Sequence, residues 1–249
     1  MGNLLKTEWY KLSKERSFWV LTLFLLGVAV SYPLTLQSGS GASGNDFYRG
    51  YILSINNEIV RLLPAILAGF FIASEYSIGT MKSIVSSGNG RIRIYFAKLS
   101  VFSIGSIIIL LILPIFMMGS SLIYMDFDTM PQWSFIFQTI GLTILYAAAF
   151  ASFMALFATI FGESGKTIGF LLLFLALSGS LLEYVSAKIS FLEPIITNSI
   201  FLSQSSILAI DQIGQWSNGD VLTFIVVPIL TFIIFGFIGS IIFLKKEIK

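Results

Sequence analysis

The chain has 249 residues, 56% of them hydrophobic and 11% charged, with a net charge of +2 and a mean hydropathy of +0.89. That balance is too apolar for an ordinary soluble domain, whose helices need recurring polar faces. Cysteine and histidine are both absent, which excludes a disulfide framework, a thiol nucleophile, the usual zinc ligands and a serine–histidine triad.

The N-terminal LLKTEWYKLSKER has a helical period. Leu5, Trp9 and Leu12 share one face, and Lys6, Lys11 and Lys14 occupy the others. Such a segment reads as an amphipathic helix at the inner membrane interface, either an anchor alone or one that also leans on a cytosolic partner. No small-x-small cleavage site follows cleanly, so a removable secretory signal is not expected.

Six stretches are long and apolar enough to cross a bilayer as helices, at roughly 18–36, 59–74, 99–124, 134–160, 168–182 and 221–244. Five spans with one re-entrant segment is the alternative, because the second and fifth stretches are short. With both termini in the cytoplasm, the inner segments carry Lys6, Lys11, Lys14, Arg16, Lys82, Arg91, Arg93, Lys98, Lys166, Lys245, Lys246 and Lys249, whereas Arg49, Arg61 and Lys188 fall outside. That asymmetry on short loops is the positive-inside pattern. The expected architecture is an all-α integral membrane protein in a single transmembrane domain, 1–249, with cytoplasmic termini.

Of the outer segments, 37–58 begins with the Gly/Ser-rich QSGSGASGNDFYRG and reads as a flexible surface loop. The segment 183–220 is too apolar for a plain linker, and Pro194 bounds two short pieces that would cap the bundle. On the inner side, residues 75–98 carry Glu75, Lys82, Arg91, Arg93 and Lys98 and are interrupted by SSGNG. A short helix through Val85, a turn at 86–90 and a basic entry into the third span are expected there.

FGESGKT at 161–167 ends like a phosphate-binding loop, but Ile160 stands where the first glycine of G-x-x-x-x-G-K-[ST] belongs. The preceding TIGLTILYAAAFASFMALFATI is a membrane span rather than a buried strand, so the segment reads as a polar turn between two spans. No Asp, Glu, Lys or Arg lies in the centre of a proposed span, which leaves a proton relay or a serine–lysine dyad without its groups. No catalytic or metal-binding residue is assigned. The spans are rich in Phe, Ile, Leu, Ser and Thr, a lining suited to amphipathic peptides, lipids or lipophilic compounds. Phe153, Phe157, Gly141, Ser152, Gly169 and Ser178 are candidates for close helix packing.

The order Glu75, Gly79, Thr80, Lys82 just after the second span, with Lys98 opening the third, resembles the signature of ABC-2 type transporter permeases. Length, six spans and the N-terminal helix resemble that family along essentially the whole chain. One departure is the lack of a proline in Ser86–Gly90. The resemblance implies two permease subunits, the second a copy or a relative, above a homodimer or heterodimer of cytosolic ABC ATPases. It makes Glu75, Gly79, Thr80, Lys82, Arg91, Arg93 and Lys98 the candidate ATPase-coupling residues, with Mg-ATP bound by the partner and no cofactor or nucleic acid bound by this chain. It further implies a bacterial plasma-membrane exporter of bacteriocins or other peptides, a self-protection pump against lantibiotics or bacitracin, or a sodium or drug efflux system, with peptide export the leading expectation. A non-transporting membrane scaffold or regulator, and an ion-coupled secondary carrier, are the competing classes.

Overall fold

The computed structural model describes residues 2–36, 43–130, 132–206 and 218–247. Residues 37–42 and 207–217 of the two expected outer segments lie outside the described residues. The described chain is a bundle of helices: α1 (Gly2–Lys14), α2 (Arg16–Thr35), α3 (Gly44–Ser77), α4 (Thr80–Ser86), α5 (Arg91–Tyr124), α6 (Trp133–Phe161), α7 (Ser164–Lys188), α8 (Glu193–Thr197), α9 (Ile200–Ser206) and α10 (Asn218–Lys245). Six of these, α2, α3, α5, α6, α7 and α10, are long and apolar enough to span a membrane.

Continuous apolar sequence explains the long helices, since in lipid every backbone polar group must be satisfied within the segment. Wider π turns interrupt α3 at Tyr48–Leu53 and Gly69–Ala73 and α5 at Leu113–Met117. The last contains Pro114, which has no N–H to donate and would crowd the carbonyl four residues back in a regular turn. Residues 44–50, expected in a flexible loop, are helical. Their Gly, Asn and Asp read as turn chemistry, but Phe47 and Tyr48 bury their rings in the bundle and override that local preference.

Helix α6 is the central element, packed along α10 and α5 and also against α3, while α7 packs chiefly on α3. Phe153 sits at the hub, its ring 4.9–5.5 Å from those of Phe157, Phe174, Phe201 and Phe235. Of the small residues expected at close contacts, Ser152 and Ser178 are buried, but Gly141 and Gly169 face open space. The close approaches occur elsewhere: Ile168 over Gly69, Leu12 over Gly105 and the Tyr95 hydroxyl over Gly239. Small residues there let neighbouring helices approach, which is what holds helices together where lipid tails are as apolar as the side chains.

Polar contacts tie the half of the bundle away from both termini. Ser120 donates to the Ala29 carbonyl at 2.7 Å, joining α5 to α2, and the Tyr146 hydroxyl donates to Ser203 Oγ at 2.9 Å, fixing α9 on α6.

Candidate coupling site at the basic end

Both termini lie at one end of the bundle, and there the basic residues collect. Helix α3 ends at Ser77 and the chain reverses through Ile78 and Gly79. Gly79 has φ +81°, a left-handed conformation that a Cβ would disfavour. Helix α4 follows, then a turn at 87–90 leads into α5. Glu75 and Lys98 are thereby brought together from two different helices, α3 and α5.

They do not meet alone. Lys98 Nζ lies 2.7 Å from Glu8 Oε2 and 2.8 Å from Glu75 Oε2. Lys11 Nζ lies 2.7 Å from Glu8 Oε1 and 3.0 Å from Glu75 Oε1. The four side chains form a closed ring of alternating charge joining α1, α3 and α5. Its Lys98–Glu75 edge is an ion pair whose direction is off that of a hydrogen bond. Glu8 and Lys98 are 2% and 4% exposed, so each charge depends on its partners for what water would otherwise supply. The Phe71 ring, 4.8 Å from Lys98 Nζ, adds a cation–π contact.

Sequence reasoning found two corners of this ring, Glu75 and Lys98, and missed Glu8 and Lys11. The face of α1 that meets the bundle is centred on Glu8 and Leu12, with Leu5 partly buried beside them. Trp9 lies at its edge and is 44% exposed. Lys11, expected to point outward, turns instead into the ring. The signal for this was an acid at the third position after Leu5, inside the apolar stripe, with a lysine three residues beyond it.

Burial alone would push the Glu8 carboxyl up, but the Lys98 and Lys11 ammonium groups more than offset it and hold it below its ordinary value of 4.5. Burial alone would likewise pull Lys11 down, yet the Glu8 hydrogen bond and the Glu75 charge hold it above its ordinary 10.5. The lowered Glu8 contributes stability that is complete above about 4.5 and lost as pH falls. The raised Lys11 contributes stability that is complete below about 10.5 and lost as pH rises. The Tm gap between the wild type and Glu8→Gln is therefore expected to stay flat through neutral pH and to shrink in acid below 4.5. Melting the two proteins across that range checks it.

The other candidate coupling residues divide. Lys82, Arg93 and Thr80 are exposed, and Gly79 shapes the turn. Ile78, which sequence reasoning did not single out, is 74% exposed at the tip of the same turn. Arg91 is committed elsewhere: it donates to Leu244 O at 2.9 Å and Lys246 O at 3.0 Å, capping the end of α10. FGESGKT spans the junction of α6 and α7, with the turn at Gly162 and Glu163 and residues 164–167 already in the first turn of α7. Gly162 ends α6 with φ +65°, and Lys166 pairs with Glu163 at 2.9 Å on the surface.

A family model for ABC-2 family transporter proteins matches residues 4–179, which is more than half of the chain and contains the whole ring. The chain belongs to the ABC-2 transporter family. Its members are non-catalytic membrane subunits of ABC transporters, and membership implies association with an ABC ATPase. Six helices able to span a membrane, in an ABC-2 protein, make this a multi-pass membrane protein. A search of curated proteins finds no significant match.

Proposed function

We propose that this chain is the permease subunit of an ATP-driven exporter of amphipathic peptides. In this reading the basic end faces the cytoplasm and an ABC ATPase docks beneath it, touching the turn at Ile78–Gly79 and the exposed Lys82 and Arg93. The observation that supports it best is the ring. A turn that projects an exposed Ile78 outward is joined, three residues earlier, to buried charges holding three helices. Displacing that turn displaces their shared anchor. The positive-inside asymmetry supports the orientation, and the phenylalanine-rich, uncharged interiors of α6 and α10 support a cargo that is amphipathic rather than a small hydrophilic ion. Mg-ATP belongs to the partner. A second permease subunit, either a copy of this chain or a relative, completes the path.

Ile78→Asp tests the docking more cleanly than charge reversal at Glu75, which would break the ring. A P-loop ATPase is expected to co-purify with the wild type in mild detergent and to be lost from Ile78→Asp, with the permease still monodisperse. An ATPase retained by the variant, or none captured by the wild type, counts against the reading. Peptide accumulation in cells with and without the ATPase tests the cargo; accumulation independent of it would leave the exporter assignment without support.

A further inference from the structure

Glu75 is followed by a residue that faces a different part of the bundle. The Tyr76 ring lies 4.4 Å from Lys246 Nζ and packs edge-on against Phe243, 6.3 Å between centroids. Its Cβ backs onto Gly162, where an added methyl group would approach it to 3.2 Å. Tyr76 is therefore wedged between the ends of α6 and α10.

Those two ends are held unusually. The last carbonyls of a helix have no partner within it, and at an aqueous boundary water commonly supplies one. Gly162 N–H satisfies Ala158 O in α6. The next two carbonyls, Thr159 O and Ile160 O, accept from Lys246 Nζ, a side chain from beyond the end of α10. The end of α10 is in turn capped by Arg91 from the start of α5. Each helix ends on a cation from another element, the favourable sign for a C-terminus. Lys246 also rests on the Tyr76 ring, so a shift of that ring removes its support.

We infer that Tyr76 and Lys246 are a positioning pair for the transport cycle, passing displacement of the turn after α3 to the ends of α6 and α10 by a route separate from the ionic ring that serves α1 and α5. This rests on the coupling function proposed above. Adjacent residues would thus divide one input between two halves of the bundle. The two routes share a small void lined by Tyr76, Tyr95, Lys98, Thr159 and Phe243, about 10 Å³, room for about one water.

The absence of cysteine makes the test direct. Spin labels on Phe137→Cys and Leu222→Cys report α6 against α10, and labels on Leu34→Cys and Ile123→Cys report α2 against α5; all four positions are exposed. Distances are measured in the permease–ATPase complex in lipid vesicles, with and without ATP. Tyr76→Leu and Lys246→Met are expected to abolish the ATP-dependent change between the first pair and spare the second. Glu75→Gln is expected to do the reverse, and Lys246→Arg to restore the first pair. Equal damping of both pairs by Tyr76→Leu, or no damping of the first, overturns the inference while leaving coupling intact. A wild-type complex with no ATP-dependent change at either pair overturns the coupling reading, and this inference with it.

Discussion

Lys98→Met will cost the folded permease about 3–5 kcal/mol, the range for removing one partner from a buried ion pair. The loss exceeds that of a surface pair, worth about 0–1 kcal/mol, because Glu8 and Glu75 both face Lys98 and only the half-exposed Lys11 would remain between them. Two buried carboxylates sharing one ammonium either repel each other or take up a proton, and both raise the free energy of the fold. Thermal unfolding of the detergent-purified protein, followed by size-exclusion peak height, reads the effect. Replacing all four members by apolar residues of similar volume should restore much of the stability, since paired buried charges contribute little beyond their own desolvation. It should not restore ATP-linked movement. A Lys98→Met protein that melts with the wild type would mean that water reaches the ring and that its charges act as surface charges.

The second large loss is expected at Gly162→Val. The φ of +65° costs a β-branched residue roughly 1–3 kcal/mol as backbone strain. The new side chain would also meet Lys246 Nζ at 2.8 Å and Tyr76 Cβ at 3.2 Å. The lysine can move, but Tyr76 Cβ is fixed to the backbone of α3, and overpacking of that kind costs roughly 1–3 kcal/mol more. Gly165→Val, three residues on in the first turn of α7 and facing open space, is the control and should lose far less. Comparing their melting points separates strain at the end of α6 from any general intolerance of the FGESGKT segment. Equal losses would place the cause in the segment as a whole.

Much of the architecture was legible because lipid imposes long apolar helices, and such runs are visible in any hydropathy reading. Residues 44–50 were not, since Gly, Asn and Asp signal a turn locally and only the burial of Phe47 and Tyr48 makes them helical. The close-contact glycines were hidden for a related reason. Gly69, Gly105 and Gly239 look in sequence like Gly141 and Gly169, and helix rotation decides which of them faces a neighbour. At the candidate site, Glu75 and Lys98 stood out through a family pattern. Glu8 was countable but unplaced, because a helix read as interfacial offers no reason to bury an acid. The Arg91 contacts join residues more than 150 positions apart, a separation at which charge and period say nothing about proximity.

The ring formed by Glu8, Lys11, Glu75 and Lys98 is electrically neutral as a unit, with two charges of each sign. Its interior edges are shorter than 3.1 Å, far inside the screening length of about 8 Å in physiological electrolyte, and at the buried Glu8 and Lys98 dissolved counter-ions have little room to compete. The surrounding exposed lysines and arginines have no such protection. High ionic strength would therefore loosen what is held at the surface of this end of the protein, and leave the helices clasped to one another.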